Sequence, residues 1–185
     1  MMPMNPIHRP VTTSETGLRE IGFGGSCHWC TEAIFQSVRG VRTVHQGWIS
    51  SDGADSSFSE AVLVRFDPAV ASQHLLIAIH LATHASTSDH SFRTKYRSAI
   101  YVFSDYQAEE AHESIARLQQ DEEKTFITRV LPFVAFKENG EDQLNYYLTR
   151  PDAPFCSTHI IPKLTRLREK FPSHFIDLNS AIHHP

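Results

Sequence analysis

The sequence is poor in cysteine and has no excess of positive charge. Only 3 of its 185 residues are cysteines, which is too few for a disulfide framework, and an odd number leaves one thiol unpaired in any scheme of bridges. The formal net charge is −4, and the Lys and Arg residues are scattered, so the sequence lacks the basic surface that a nucleic-acid backbone requires. We therefore expect no nucleic-acid partner, and we expect the cysteines to serve chemistry.

Long apolar runs are also missing. No stretch approaches the roughly 18 consecutive apolar residues of a membrane-spanning helix, and residues 1–20 lack the apolar core of a secretory signal. We expect a cytoplasmic protein with no membrane partner. At 185 residues one domain is the natural prediction: a flexible arm over residues 1–17, the folded domain over 18–172 and a C-terminal tail over 173–185.

Hydrophobic periodicity predicts strands and helices in mixed order. The expected strands are 18–25, 41–49, 60–66, 98–103 and 125–136. The expected helices begin at Ser26, Ser72, Ser104 or Asp105, Glu141 and Pro162. Residues 41–66 read as two strands joined by a polar loop, which favours antiparallel pairing over an all-parallel doubly wound sheet. The pattern therefore predicts an α+β fold, a two-layer sandwich whose mixed sheet is largely antiparallel.

The densest group of chemically active residues surrounds Cys27. This cysteine follows Gly24 and Gly25 at the point where the first strand is expected to turn into the first helix. Unpaired N–H groups at a helix start stabilise a thiolate, and a glycine pair allows a substrate to approach closely. Cysteine is also a common small core residue. The position indicates a reactive thiol, with a buried packing role as the alternative.

Several blocks of the sequence resemble the A-type peptide methionine sulfoxide reductases. Residues 26–30 (Ser-Cys-His-Trp-Cys) resemble that family's Gly-Cys-Phe-Trp-Gly signature, in which the cysteine is the nucleophile. Residues 59–62 and 66–68 resemble its His-Ala-Glu-Val strand and Tyr-Asp-Pro end. Residues 93–101 resemble its Gly-Thr-Gln-Tyr-Arg-Ser block, and residues 141–148 its Glu-Asp-Tyr-His-Gln-x-Tyr-Leu block. The blocks keep their order from about residue 19 to about residue 170.

The resemblance implies a reductase A-like catalytic domain over residues 18–172 with a ferredoxin-like core. It implies reduction of methionine S-sulfoxide, in protein, peptide or free form, or of a related small sulfoxide. Glu60 and Tyr96 match the family residues that protonate and bind the departing oxygen, and Trp29 would form an apolar wall for the S-methyl group. The product is a sulfenic acid on Cys27, which a second thiol converts to a disulfide. Cys156 falls where many members keep this resolving cysteine.

The resemblance implies no cofactor, and a thioredoxin-type dithiol is the expected reductant and protein partner. Three residues depart from the family pattern in the substrate-binding region. His28 replaces Phe, Trp48 replaces a second active-site Tyr, and Cys30 replaces Gly and becomes a possible second resolving thiol. Because the Tyr hydroxyl is lost, we expect a protonated His28 to replace it as a hydrogen-bond donor.

The same departures support an alternative reading. The chain could be a metal-dependent oxidoreductase or a metal-binding protein on the same fold, with zinc in a Cys-x-x-Cys and Cys-x-x-His site, or with iron or copper on histidines. The candidate ligands are Cys27, Cys30, Cys156 and His159 for zinc, and His28, His84, His90 and Asp89 for iron or copper. The Cys-x-x-Cys spacing is equally typical of a thiol and disulfide pair, so no metal is favoured.

Overall fold

The computed structural model describes residues 17–84, 86–88 and 95–178. Within them the strands are β1 Arg19–Gly24, β2 Val41–Ser50, β3 Ser59–Phe66, β4 Ala99–Val102, β5 Arg129–Pro132 and β6 Ala135–Glu138. The α-helices are α1 His28–Gln36, α2 Gln73–Thr83, α3 Asp105–Glu122, α4 Tyr146–Thr149 and α5 Ile161–Lys170. A 3₁₀ turn spans Gly53–Asp55, and a π turn at Cys156–Ile160 leads into α5. None of the helices in these residues is long and apolar enough to cross a membrane.

The six strands form one mixed sheet in the order β5-β4-β1-β3-β2-β6. Only the β4–β5 pair is parallel, and the other four pairs are antiparallel. Helix α1 connects β1 to β2, and α2 connects β3 to β4, so the four central strands form the βαββαβ unit of a ferredoxin-like fold. The predicted α+β class and the largely antiparallel sheet are confirmed.

Two of the three predicted N-cap residues cap their helices in the structure. The Ser72 hydroxyl accepts the backbone N–H of Leu75 at 3.1 Å, and the Ser104 hydroxyl accepts that of Gln107 at 3.1 Å. The predicted Ser26 cap is wrong. Cys27 occupies the N-cap position of α1 and makes no side-chain cap hydrogen bond, so the first N–H groups of this helix need partners from elsewhere.

The predicted strand 125–136 is wrong as a single element. It divides into β5 and β6, which lie at opposite edges of the sheet although only two residues separate them. The backbone N–H of Phe133 donates to the Val102 carbonyl at 2.9 Å, and the N–H of Val134 donates to the Ser50 carbonyl at 3.1 Å. The two edges therefore approach each other, and the sheet curls. A second apolar cluster fills its concave face: Ile49, Ala61, Leu63, Ala99, Tyr101, Leu131 and Phe136.

The other face of the sheet carries the main core, built with the helices. Phe23 of β1 stacks on Phe35 of α1 with ring centroids 4.7 Å apart, and both are fully buried. The helix predicted from Glu141 to Leu148 shortens to α4, whereas the last helix begins at Ile161 with a proline in its first turn, as predicted.

Part of the predicted C-terminal tail contacts the end of α1. The backbone N–H of Arg39 donates to the His174 carbonyl at 2.8 Å, and the N–H of Ile176 donates to the Ser37 carbonyl at 2.8 Å. Residues 179–185 of that tail, and residues 1–16 of the predicted N-terminal arm, lie outside the described residues.

Gly47 sets how closely β6 approaches β2, which gives a test of the curled sheet. A Cβ added at Gly47 would overlap the Lys137 carbonyl oxygen and would lie 2.9 Å from the Glu138 Cα. Gly47→Ala should lower the free energy of unfolding by about 1–3 kcal/mol, the usual cost of overpacking, measured from the urea midpoint. In the control Gly140→Ala the nearest atom is the end of the Asp142 side chain, so the change should stay within about 0.5 kcal/mol. Equal effects of the two substitutions would contradict this account of β6.

Candidate active site

Cys27 sits at a sharp junction between the sheet and helix α1. Strand β1 ends at Gly24, and Gly25 takes a φ of 140°, a conformation that favours glycine. A Cβ at Gly25 would also lie 2.6 Å from the His84 ring. The chain can therefore turn directly from the buried strand into the helix, which places the Cys27 thiol at the helix start, as predicted.

The Cys27 thiol is activated mainly by its neighbour Cys30. The Cys30 thiol donates to the Cys27 sulfur and lowers the pKa of Cys27 from 9.0 to about 7. Burial and the charge of Glu60 raise this pKa, and the backbone N–H groups of Trp29 and Cys30 lower it. The same thiol contact raises the pKa of Cys30, which is 2% exposed. Near neutral pH thiol and thiolate forms of Cys27 are therefore both present, and the thiolate is stabilised by the Cys30 thiol.

Glu60 ties the start of α1 to the sheet. It lies on β3 opposite Trp48 and is 5% exposed. Its Oε2 accepts the backbone N–H of His28 at 3.1 Å and lies 3.5 Å from His28 Nδ1, and its Oε1 lies 3.6 Å from Lys95 Nζ. A carboxylate at this place supplies the missing cap of α1 and interacts favourably with the helix dipole.

Residues 95–98 are held against β3 beside Glu60 by hydrogen bonds. The Ser59 hydroxyl donates to the Lys95 carbonyl at 2.8 Å and accepts the Arg97 backbone N–H at 2.8 Å. The Lys95 ammonium lies 5.1 Å from the centre of the Tyr96 ring, and its hydrogen bond to Tyr96 is the largest cause that raises the pKa of Lys95. Tyr96 is thus brought to the Glu60 side of the site. Lys95 is a site residue that the sequence reasoning missed, although it precedes Tyr96 in the matching block.

Trp48 and His28 are joined through Asn139, which the sequence reasoning also missed. The Trp48 indole N–H donates to Asn139 Oδ1 at 3.1 Å, and Asn139 Nδ2 lies 3.3 Å from His28 Nε2. The Trp48 and His28 rings meet edge to face, with centroids 5.8 Å apart. Asn139 follows β6, whose separate existence no local sequence signal indicated.

His28 does not fit the expected imidazolium. It is 7% exposed, and burial lowers its pKa below the usual value. The charge of Lys95 lowers the pKa further, whereas Glu60 and the Gly47 backbone raise it. Burial is the largest of these causes, so the ring is neutral near pH 7. The expectation of a protonated His28 is therefore corrected.

Trp29 belongs to an aromatic cluster that the sequence did not indicate. Its ring stacks on Tyr146 with centroids 4.2 Å apart and meets Phe155 edge to face at 5.3 Å. Its indole N–H is buried and has no hydrogen-bond partner among the described residues. Tyr146 and Phe155, which both follow β6 in the chain, thus hold the Trp29 ring in place. Trp29 therefore offers a rigid apolar surface beside Cys27.

Cys156 lies in the π turn that packs against α1. It is fully buried, in the same apolar cluster as Cys30, and its thiol donates to the Arg150 carbonyl at 3.1 Å. Burial and the charge of Asp152 raise its pKa. All three cysteines are free. Cys30 is in contact with Cys27, whereas Cys156 is enclosed by its own turn.

The candidate metal ligands do not converge in the part of the chain that the structure describes. Across residues 17–84, 86–88 and 95–178, no group of three or more His, Cys, Asp or Glu side chains is arranged to hold a metal ion. His84 Nε2 lies 2.7 Å from the Ser98 hydroxyl, and the His159 ring packs on Phe155 at 4.7 Å. Asp89 and His90 lie outside the described residues.

Comparison with known proteins gives a consistent result. The family described as peptide methionine sulfoxide reductase matches residues 19–175. Peptide methionine sulfoxide reductase MsrA of Acinetobacter baumannii (strain AYE) is 32% identical over 163 residues, covering 80% of this chain and 94% of the relative.

Solved structures share the fold at lower identity. Reduced Mxr1 of Saccharomyces cerevisiae has a TM-score of 0.65 at 20% identity and covers 77% of this chain and 91% of its own. The complex of Mxr1 with Trx2 has a TM-score of 0.52 at 19% identity and covers 68% and 84%.

Two substitutions of Cys30 test the origin of the Cys27 acidity. Cys30→Ala removes the donor that most lowers the pKa of Cys27, so this pKa should rise toward 9.0. Below the pKa the thiolate fraction falls about tenfold per pH unit, so alkylation of Cys27 at pH 6 should slow by one to two orders of magnitude. In Cys30→Ser a hydroxyl donor remains, and much of the rate should be kept. Faster labelling of Cys156 than of Cys27 in the unchanged protein would overturn the assignment of the reactive thiol.

Proposed function

The chain belongs to the peptide methionine sulfoxide reductase family, an oxidoreductase family, and on this premise we propose that it reduces methionine S-sulfoxide through the thiol of Cys27. One observation carries the proposal. The pKa of Cys27 is lowered to about 7 at the start of α1, where the buried carboxyl group of Glu60 lies beside the first helical N–H. A nucleophile and a group able to transfer a proton therefore lie side by side.

The reaction balances with the groups at the site. The Cys27 thiolate attacks the sulfoxide sulfur and forms a transient S–S bond, while the sulfoxide oxygen takes up a proton that Glu60 passes on from solvent. The S–O bond and the transient S–S bond then break as the hydroxyl group passes to Cys27. Methionine leaves in the sulfide form, reduced by two electrons, and Cys27 becomes a sulfenic acid. Tyr96 and His28 would contact the departing oxygen, and Trp29 and Trp48 would enclose the substrate. Free methionine sulfoxide, peptides and proteins share this reacting group.

We place Cys30 ahead of Cys156 as the thiol that resolves the sulfenic acid. Cys30 already contacts Cys27, whereas Cys156 is fully buried and bonded to the Arg150 carbonyl. Once Cys27 is a neutral sulfenic acid, the contact that most raises the pKa of Cys30 is lost. Burial and Cys156 still raise that pKa, and the charge of Lys163 lowers it. Attack by Cys30 forms the Cys27–Cys30 disulfide and releases water.

A thioredoxin-type dithiol would then reduce the disulfide and complete the electron balance. Mxr1, which shares the fold, forms a complex with Trx2, and this supports a similar partner here. No further cofactor enters the scheme. Because the three thiols are free, a reducing compartment such as the cytoplasm suits the enzyme.

The function is tested with free methionine S-sulfoxide, the R epimer as the control substrate, and a small dithiol as the reductant. The S epimer should be reduced, and dialysis against a chelator should leave the rate unchanged.

Glu60→Gln should lower kcat by about 10²–10⁴, the usual contribution of a general acid. In this variant Cys27 should be alkylated at pH 6 at least as fast as before, because Glu60 raises the pKa of Cys27. Loss of activity with the metal would support the metal-dependent reading, and an inert S epimer would refute the proposal.

The resolving thiol is identified by comparing two variants in single and multiple turnover. Cys30→Ser should release one methionine per enzyme and leave a sulfenic acid on Cys27, while multiple turnover with thioredoxin falls sharply. Cys156→Ser should keep multiple turnover, because its thiol is buried in the π turn and donates to the Arg150 carbonyl. The opposite pattern, with trapping in Cys156→Ser, would assign the resolving role to Cys156, as the family resemblance implies, and would require the π turn to open.

A further inference from the structure

His28 has a buried hydrogen-bonding atom to which the proposed reaction assigns no partner. Its Nδ1 is buried and has no hydrogen-bond partner among the described residues, although Glu60 Oε2 lies 3.5 Å away. Whether Nδ1 carries a proton depends on the tautomer of the ring. The opposite nitrogen, Nε2, faces Asn139, so the orientation of the Asn139 amide decides the question.

The orientation of Asn139 is determined from two directions. The Trp48 indole N–H is only a donor, so the Asn139 atom at 3.1 Å from it must be the carbonyl oxygen. On the other side, Gln46 Nε2 donates to the Gln143 backbone carbonyl at 3.0 Å, which is only an acceptor. Gln46 therefore offers its Oε1 to Asn139 Nδ2, at 2.7 Å. Both neighbours require the same amide orientation.

Because Asn139 Nδ2 can only donate, the His28 Nε2 at 3.3 Å from it must accept. A neutral imidazole that accepts at Nε2 carries its proton on Nδ1. The N–H then points to the side of Glu60, at the start of α1 beside Cys27.

We propose that Asn139 is a positioning residue that holds His28 as the neutral Nδ1–H tautomer, so that His28 donates a hydrogen bond to the sulfoxide oxygen beside Glu60. This inference rests on the proposed function. It supplies the donor that the replacement of a family tyrosine by Trp48 removes, and it does so without an imidazolium. Trp48 contributes through its N–H, which fixes the amide.

The charged groups that face His28 are Glu60 of β3 and Lys95 of the segment before β4. Asn139 and Trp48 are neutral, and the Gly47 backbone also interacts with the ring. Nδ1 carries a proton in the neutral tautomer and in the imidazolium, so the proposed donor persists at every pH. The rate of the unchanged protein should rise as Cys27 ionises near pH 7, and His28 should add no fall in rate at higher pH.

Asn139→Asp should reverse the direction of the hydrogen bond between residue 139 and His28 Nε2. Its carboxylate can accept from Trp48 and from His28 Nε2–H, so the neutral ring should carry its proton on Nε2, and the pKa of His28 should rise. Above that pKa the donor at Nδ1 is lost. The rate should therefore fall again at high pH, by about 10²–10³-fold, the usual cost of losing one preorganised donor. The pH profile becomes bell-shaped.

The tautomer is measured without turnover, by two-bond ¹H–¹⁵N correlation NMR of the ring nitrogens at pH 8. His28→Phe assigns the signal by its disappearance, and Gln120→Glu adds the same negative charge at an exposed position on α3 as a control. The expected result is a proton on Nδ1 in the unchanged protein and in Gln120→Glu, and on Nε2 in Asn139→Asp.

A proton on Nε2 in the unchanged protein would overturn the inference. The spectrum of the unchanged protein therefore tests the tautomer even if Asn139→Asp fails to fold. A folded Asn139→Asp variant whose pH profile matches that of the unchanged protein would also overturn it. If the unchanged protein reduces no sulfoxide, the proposed function fails, while the tautomer result stands independently.

Discussion

The hydrogen bond from the His28 backbone N–H to Glu60 is the contact on which the site depends. Helix α1 begins without a side-chain cap of its own, because the residue at its N-cap is Cys27. A buried N–H without a partner costs about 1–3 kcal/mol, and Glu60, held on the central strand β3, satisfies this one at 3.1 Å. The carboxyl group that would protonate the substrate thus also fixes the position of the nucleophile.

The curled sheet brings the remaining parts of the site together. Because β5 and β6 are joined by two residues yet lie at opposite edges, the chain crosses the sheet and pairs β6 with β2 beside Trp48. Asn139 follows directly and reaches both Trp48 and His28. The next segment supplies Tyr146, which stacks on Trp29. A rearrangement of the edge strands would therefore alter the contacts of Trp48 and of Trp29 at once.

The sequence predicted the residues that local motifs carry and missed those that only tertiary contacts bring in. Cys27 could be identified because it lies at a recognisable strand-to-helix turn, and Glu60 and Trp48 because one matches and the other departs from the blocks of the family pattern. Asn139 could not, because residues 125–136 read as one continuous strand, and a polar residue after it has no distinctive pattern. The choice between the two candidate resolving thiols, Cys156 from the family resemblance and Cys30 from its position three residues after Cys27, likewise needed tertiary information, since the contact between Cys30 and Cys27 depends on side-chain direction within one helical turn.

The departures from the family pattern are physically coupled. A buried imidazole in place of Phe needs a partner for Nε2, and an indole in place of Tyr needs an acceptor for its N–H. Asn139 satisfies both at once, and Gln46 and the Gln143 carbonyl hold its amide in the one orientation that allows this. Reverting either ring alone would leave a polar atom of Asn139 without its partner. His28, Trp48 and Asn139 therefore form one cooperative unit, in which the chemistry of each ring is set by the amide between them.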